Sequence, residues 1–217
     1  MAEKYAINNY ENNVDFVPEY VEGDYEIPLL YPEDYEHVEW VSFKDARTMN
    51  KCKPYGIHFY LSDYQFQNIW TQRERYTHMF RRFGAVMTPD FSIYTDWPRM
   101  VQIWNHYRKH LLGSWMQSIG CKVYPTIAWG DEDSYDFCFS GEPRNSTVCV
   151  SSVGTQKNPE SRRLFLSGYE KMMEVLQPET ILFYGNIPKE CTGNIIYIEP
   201  FNDKLKEMKR NGRTGYA

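Results

Sequence analysis

The chain has 217 residues, of which 42% are hydrophobic and 17% aromatic, so it can bury the core of a domain and does not have a disordered composition. No stretch approaches the roughly 20 apolar residues that a membrane-spanning helix requires, and the N-terminus has no basic-then-apolar signal region. We therefore expect a cytoplasmic protein with no membrane partner. The five cysteines are widely spaced and form no Cys-x-x-Cys pair, which argues against a disulfide framework or a cysteine zinc site.

The net charge of -5 conceals an uneven distribution. Residues 1–40 carry eleven acidic side chains and one basic side chain, Lys4, whereas residues 41–217 carry 23 basic and 18 acidic ones. Six tyrosines and three prolines lie in the same acidic stretch, which predicts an extended arm over residues 1–50 that wraps around other structure. The arm is either a solvated leader or a segment that lies on the basic body or on a partner.

Beyond residue 50, apolar segments alternate with amphipathic ones. The predicted strands are 57–61, 85–88, 122–128, 148–150, 180–184 and 195–198, and the predicted helices are 64–83, 97–119 and 158–176. This alternation predicts an α/β fold with a mostly parallel sheet built from βαβ units, because parallel strands need crossover connections. The sheet is expected to be an open three-layer sheet or, as second choice, a partial barrel over residues 51–203, followed by a basic C-terminal tail at residues 204–217.

The helix over residues 97–119 has the strongest pattern. Asp96 is expected to cap its first turn and Gly120 to end it. Its apolar face comprises Met100, Ile103, Trp104, Tyr107, Leu111 and Trp115. His106 and His110 fall off this face, so we expect them to be exposed, although a spacing of four residues also permits shared metal binding.

Polar residues gather after the predicted strands, at the edge where α/β proteins place their sites. Asp90 and Asp136 are the catalytic candidates, as a general base or a metal ligand. Ser151, Ser152, Gly154 and Thr155 form a small-residue loop that could donate to a phosphate or be an ordinary turn. Tyr94 and Trp129 are candidates to stack on a ligand.

The sequence leaves the cofactor unknown. Asp63, Asp90 and Asp136 together would suit a divalent cation such as magnesium, but caps and turns also explain each aspartate separately. Gly-x-x-x-x-Gly-Lys and Gly-x-Gly-x-x-Gly motifs are absent from the sequence. Arginines on the first two predicted helices keep nucleic acid open as a partner, against the alternative of a solvated outer face.

The sequence also resembles an uncharacterised family of phage, plasmid and bacterial proteins, domain-of-unknown-function family 4417. The resemblance rests on the order and spacing of motifs between about residues 55 and 200. They are Thr-Pro-Asp-Phe-Ser-Ile-Tyr-Thr-Asp-Trp-Pro at 88–98, Gln-Ile-Trp-Asn at 102–105 with Tyr107-Arg108, Gly120 with Pro125, Trp-Gly-Asp at 129–131, Tyr-Asp-Phe-Cys-Phe at 135–139, Gly141, Gly154 and Tyr184-Gly185.

The resemblance implies an origin in a phage or mobile element and supplies no activity. It adds Ser92, Asn105 and Arg108 to the candidate ligand-binding residues, since they match the family's motifs. A partly buried Arg108 would need a carboxylate or carbonyl partner, for which Asp90 or Asp136 is expected.

Two functions follow as hypotheses. In the first, the protein binds or processes a nucleotide or other phosphate-containing ligand at the strand ends. In the second, it is a non-enzymatic interaction protein that uses its acidic aromatic arm to bind a host protein or nucleic-acid machinery. The sequence does not decide whether the protein is an enzyme.

Overall fold

A computed structural model describes residues 12–199. The predictions for residues 1–11 and for the tail at 204–217 lie outside the described residues. The described part contains nine strands and five α-helices. The strands are β1 (Val21–Glu22), β2 (Ile27–Pro28), β3 (Glu39–Ser42), β4 (Tyr55–His58), β5 (Ala85–Met87), β6 (Val123–Tyr124), β7 (Thr147–Ser151), β8 (Thr180–Tyr184) and β9 (Ile195–Ile198). The helices are α1 (Phe43–Ala46), α2 (Asn68–Thr71), α3 (Arg73–Phe80), α4 (Arg99–Ser118) and α5 (Pro159–Leu176).

Strands β3 to β9 are parallel and follow one another in chain order. Strands β3 to β6 form one hydrogen-bonded sheet and strands β7 to β9 form another. A parallel bridge between Thr126 and Cys149 connects the two sheets. The predicted α/β class with a mostly parallel sheet is thereby confirmed. An order without reversal is that of a barrel rather than of a doubly wound sheet. Strands β3 and β9 flank a cavity of about 200 Å³, so the arrangement corresponds to the partial barrel.

Side chains on β7 and β8 alternate between two layers, as the two-residue period of a strand requires. Cys149 pairs with Leu182 across the ladder, and both are buried in an interior cluster with Trp40 and Ile57. Their sequence neighbours enter a second cluster beneath α5. Its members include Val148, Val150, Ile181, Phe183, Phe165, Tyr169 and Met172. The interior is therefore packed with side chains, and the polar edge is left to the strand ends.

The described part of the arm, residues 12–38, lies on the α/β body. Ile27 and Leu30 are fully buried, and the carbonyl of Pro28 accepts a hydrogen bond from His110 Nδ1 at 2.8 Å. Of the two alternatives given for the arm, a solvated leader or a segment that lies on the body or a partner, these contacts correspond to the segment that lies on the body. Strand β3 then begins at Glu39, so the sheet starts before the boundary predicted near residue 50.

The helix predicted over residues 64–83 is interrupted. A 3-10 turn at Asp63–Gln65 precedes α2, and Gln72, at φ -140°, separates α2 from α3. The break comes next to the buried Arg73, whose guanidinium donates to Asn13 and Asp15 of the arm. The arm therefore contacts the chain directly beside the break between the two helices, a contact that local periodicity cannot show.

The helix predicted over residues 97–119 is observed as α4, two residues shorter at its start and one at its end. Its N-cap is Pro98, which makes no side-chain capping bond, so the cap predicted at Asp96 is wrong. Helix α5 begins one residue after the predicted start and ends at the predicted Leu176, and the side chain of its N-cap Asn158 accepts from Ser161 N at 2.8 Å. None of the helices within residues 12–199 is both long and apolar enough to cross a bilayer.

The arm is expected to contribute directly to stability. Leu30 is fully buried, and its side chain fits where Gly113 of α4 leaves room, since a Cβ there would lie 2.9 Å from Leu30 Cδ2. Leu30→Ala should lower the free energy of unfolding by about 2–4 kcal/mol through lost burial and a cavity. Urea denaturation measures the change, with Tyr31→Ala, 41% exposed, as control. Equal losses in the two variants would mean that Leu30 is not part of the core.

Candidate ligand site at the carboxyl ends of the strands

A pocket of about 360 Å³ opens where β5, β6 and β7 end. Its walls come from the three loops that follow these strands and from the first turns of α5. The lining residues are Asp90, Ile93, Tyr94, Thr95, Ile127, Ala128, Trp129, Gly130, Ser151, Val153, Gly154, Thr155, Ser161, Leu164 and Phe165. Six of the sequence-predicted site residues are in this set. A mixed apolar and polar concavity of this size can accommodate a small ligand.

Asp90 is the acidic residue of the pocket and follows β5. Burial raises its pKa to about 7, while Lys109 opposes the shift and the like charge of Asp63 adds to it. A carboxyl group with this pKa exchanges its proton near neutral pH, which is the property that a general acid or base requires. Asp90 is therefore the residue of the site that is best suited to proton transfer.

The loop at residues 151–155 forms one wall and is an ordered turn. Thr155 N and Thr155 Oγ1 both donate to the carbonyl of Ser152, at 3.1 and 2.8 Å. Gly154 has φ +86°, a conformation that glycine adopts without strain. Ser151, Gly154 and Thr155 line the pocket, whereas Ser152 is buried and donates to the carbonyl of Asn186 at 2.6 Å. The structure thus gives Ser152 a supporting position behind the loop.

Trp129 follows β6 and forms the wall next to α5. Its Nε1 donates to the carbonyl of Leu164 at 3.2 Å, and its ring lies 5.5 Å from that of Phe165. Gly168 permits this close packing, because a Cβ at that position would lie 2.1 Å from Trp129 Nε1. Trp129 is therefore held in one place, while Tyr94, 54% exposed, lies at the rim.

Ser92, Asn105 and Arg108 lie outside the pocket and form a network that holds the loop before α4. Ser92 donates from N and Oγ to Asp63 at 3.1 and 2.8 Å, and its carbonyl accepts from Asn105 Nδ2 at 2.7 Å. Arg108 donates to Asn105 Oδ1 at 2.5 Å. These three residues fix the segment that carries Asp90 and Tyr94, and they do not line the cavity themselves.

Arg108 does not make its expected pairing with Asp90 or Asp136. Its guanidinium stacks on the ring of Phe91, 3.8 Å from the centroid, and donates to Asn105. Burial lowers the pKa of Arg108, against an opposing influence of Asp63. The aromatic face supplies part of the stabilisation that the prediction assigned to a carboxylate.

Asp136 is not brought to the pocket. Its carboxylate pairs with Arg99 on the surface, and the two side chains are 50% and 45% exposed. The aspartate that follows the short turn at Glu132–Ser134 thus points to α4 and not to the strand ends. The predicted grouping of Asp63, Asp90 and Asp136 around one cation is therefore not formed, since Asp63 accepts from Ser92 instead.

His106 and His110 are fully buried, so the expectation that they are exposed is wrong. With Glu142 they form a cluster whose potential ligand atoms lie within 4.8 Å of one another. Loop 140–142 and the arm cover this face of α4, because Ser140 and Pro28 provide carbonyls to the two imidazoles. Within residues 12–199 this is the group suited to hold a metal ion.

Sequence reasoning did not identify Lys109 or Ser161 as part of the site. The charge of Lys109 opposes the rise in the pKa of Asp90. The Lys109 ammonium donates to Thr126 O at 2.8 Å. Ser161 enters the lining because α5 begins beside loop 151–155. The predicted order of strand, loop and helix could have indicated Ser161, because it places the start of α5 beside the strand ends. The residues around Lys109 contain no pattern that indicates a role in the site.

The sequence model of the family described as Domain of unknown function (DUF4417) matches residues 19–202. The "Gene 1 protein" of Mycobacterium phage L5 is 37% identical over 165 residues, which cover 75% of this chain and 72% of that protein. The "Gene 1 protein" of Mycobacterium phage D29 is 36% identical over 165 residues, which cover 75% of this chain and 61% of the phage protein. No solved structure matches the chain. The chain belongs to the DUF4417 family, with mycobacteriophage Gene 1 proteins among its relatives.

Proposed function

We propose that this chain is a phage or mobile-element protein that works in the host cytoplasm and binds or processes a nucleotide or other phosphate-containing ligand in the strand-end pocket. The observation that carries the proposal is the convergence of Asp90, Trp129 and the hydroxyl-bearing loop 151–155 on one cavity of about 360 Å³. Residues from three separate loops meet there, and packing of the barrel interior alone does not require this.

The pocket divides into parts suited to the two halves of such a ligand. Trp129, Ile127 and Phe165 offer an apolar and aromatic wall for a planar base. Ser151 and Ser161 offer hydroxyl groups, and the first turns of α5 offer the positive end of a helix dipole, for an anion. The arrangement favours a ligand with a flat ring at one end and a phosphate at the other.

The charge of the pocket limits the kind of phosphate. Among the described residues, no Lys or Arg lines it, so a triphosphate would lack cationic partners. A nucleoside monophosphate or a phosphodiester has less charge to neutralise and fits better. Asp90, with its pKa raised to about 7, can give or take a proton at such a ligand or accept a base N–H once ionised.

Isothermal titration calorimetry of the purified chain against a panel of nucleoside monophosphates and cyclic phosphodiesters tests the proposal. Binding of at least one member is expected, with Asp90→Asn and Ser151→Ala each weakening it about tenfold or more through a lost polar contact. Asp136→Asn is the matched control, because its carboxylate lies on the surface beside Arg99. Absence of binding across the panel, or equal losses in Asp90→Asn and Asp136→Asn, would contradict it.

The alternative proposal is a non-enzymatic interaction protein that uses the acidic arm to bind a host factor or nucleic-acid machinery. The exposed Val14, Val17 and Tyr20 favour it, at 61%, 81% and 57% exposure. Ile27 and Leu30 of the same arm are used for packing on the body. Substituting Val17 and Tyr20 with serine separates the two proposals: only the interaction function should be lost, and ligand binding in the pocket should remain.

A further inference from the structure

The buried face of α4 carries a group of side chains that the proposed ligand pocket does not use. His106 and His110 are one helical turn apart, with ring centroids separated by 4.4 Å. Glu142 approaches from the loop after residue 139, and its carboxylate is completely buried. One ring nitrogen from each histidine and one carboxylate oxygen all lie within 4.8 Å of one another.

The backbone fixes the tautomer of both imidazoles. His106 Nε2 lies 2.9 Å from the carbonyl of Ser140, and His110 Nδ1 lies 2.8 Å from the carbonyl of Pro28. A carbonyl can only accept, so these two nitrogens carry the hydrogens. The other nitrogens, His106 Nδ1 and His110 Nε2, present lone pairs to the cluster when the rings are neutral. Outer hydrogen bonds of this kind commonly orient metal-binding histidines.

The lone pairs are poorly satisfied by the protein itself. His106 Nδ1 and Glu142 Oε2 have no hydrogen-bond partner among residues 12–199. His110 Nε2 lies 3.0 Å from Glu142 Oε1, so a neutral His110 places two acceptors against each other. A proton or a cation between two such buried acceptors removes their mutual repulsion.

We propose that His106, His110 and Glu142 bind a first-row divalent transition-metal ion, with Zn²⁺ as the first to test, and that the ion joins α4 to loop 140–142 beneath the arm. Two imidazole nitrogens and one carboxylate oxygen are a ligand set that such ions accept. The site is closed off by Pro28 and Gly141, where a Cβ would lie 2.7 Å from the Pro28 carbonyl. Three protein ligands leave the fourth position of a tetrahedral ion to a water molecule, and the ion site is separate from the strand-end pocket of the proposed function.

Lys109 provides the competing arrangement. Its ammonium donates to Glu142 Oε1 and to Thr126 O, and it neutralises the carboxylate without an ion. It does not contact His106 Nδ1 or Glu142 Oε2, which remain without partners in the described range. The ion in our proposal takes these atoms together with His110 Nε2, while Lys109 stays on Oε1.

The test uses the full chain, stripped with a chelator and then dialysed separately against Zn²⁺ and Co²⁺. We expect one ion per chain by elemental mass spectrometry, a higher melting temperature with Zn²⁺, and visible d–d absorption of the Co²⁺ form that reports nitrogen and oxygen coordination. A chain that retains no ion and shows neither the shift in melting temperature nor the absorption would overturn the proposal and favour the Lys109 ion pair.

Variants locate the ion. His106→Gln removes one ligand at similar volume and is expected to weaken Zn²⁺ binding by more than about 100-fold, since losing only an outer-shell partner costs 10- to 100-fold. His78→Gln changes an exposed histidine on α3 and should bind as the unaltered chain does. Equal loss in both variants would assign the metal to the surface and contradict the proposal. If His106→Gln fails to fold, the Co²⁺ spectrum and Zn²⁺-dependent melting of the unaltered chain decide.

Discussion

Lys109→Met is expected to lower the free energy of unfolding by about 3–5 kcal/mol when measured with a chelator present. Lys109 and Glu142 form an ion pair whose side chains are 3% and 0% exposed. Methionine keeps most of the aliphatic stem but removes the charge, so Glu142 is left buried without its cation. The carbonyl of Thr126 also loses a donor. Guanidinium denaturation monitored by circular dichroism measures the loss.

The double variant Lys109→Met/Glu142→Gln is the control for charge. Removing both charges avoids the uncompensated carboxylate, so the double variant should recover at least half of the loss. Lys171→Met, on the outer face of α5 beside the exposed Glu174, should change stability by less than about 0.5 kcal/mol. A double variant that is as unstable as the sum of the single variants would show that packing, and not charge, makes Lys109 important.

Asp90→Asn is expected to stabilise the protein at pH 8 by about 2–3 kcal/mol more than at pH 5. The folded-state pKa of Asp90 is raised to about 7 from an unfolded value of 3.8. Between these values the folded chain keeps a proton that the unfolded chain has released, so stability is full below pH 3.8 and is lost as pH rises to about 7. Asparagine cannot ionise and does not incur this loss.

At each pH, the free energy of unfolding of the unaltered chain must be subtracted from that of the variant, because other groups also change stability over this pH range. His58, whose pKa is lowered to about 4 by burial, contributes in the opposite direction, since its stability is lost as pH falls from about 6.5 to 4. Subtraction removes this contribution. A difference in unfolding free energy that does not change with pH for Asp90→Asn would show that the pKa of Asp90 is not raised. A gain in stability on removing Asp90 is the signature of a residue retained for function.

Regular periodicity allowed the strand and helix order to be predicted beyond residue 50. The limits of helix α5 were predicted to within one residue, because Asn158-Pro159 is a strong local start signal. Strand β3 was missed because four residues between an acidic arm and α1 show no pattern of their own. Its identity as a strand comes from pairing with β4, a partner that local sequence does not reveal.

The buried polar face of α4 could not be predicted. Apolar spacing placed Met100 and Trp104 on the core face, yet they are 72% and 37% exposed, whereas His106, Lys109 and His110 are buried. These three donate hydrogen bonds to the carbonyls of Pro28, Thr126 and Ser140, which all lie outside α4. A periodicity argument counts only apolar residues, and it cannot detect a polar face that distant backbone carbonyls cover.

The location of the candidate site was predicted better than the set of residues that line it. The rule that loops at the carboxyl ends of parallel strands converge brought Asp90, Trp129, Ser151 and Thr155 to one pocket. The rule does not distinguish residues that line the pocket from residues that hold its loops in place. Ser92, Asn105 and Arg108 belong to the second kind, since they hold the loop behind the pocket. Asp136 lies on a longer loop whose direction no strand determines.

The docking of the arm also constrains the order in which the chain can fold. The contacts of Pro28 with His110 and of Glu33 N with Ser146 Oγ span 82 and 113 residues. During synthesis the arm leaves the ribosome long before either partner, and closing loops of that length slows folding. The arm emerges before its partners and is thus among the last segments to reach its place, and until then the polar face of α4 is open to water and to other chains.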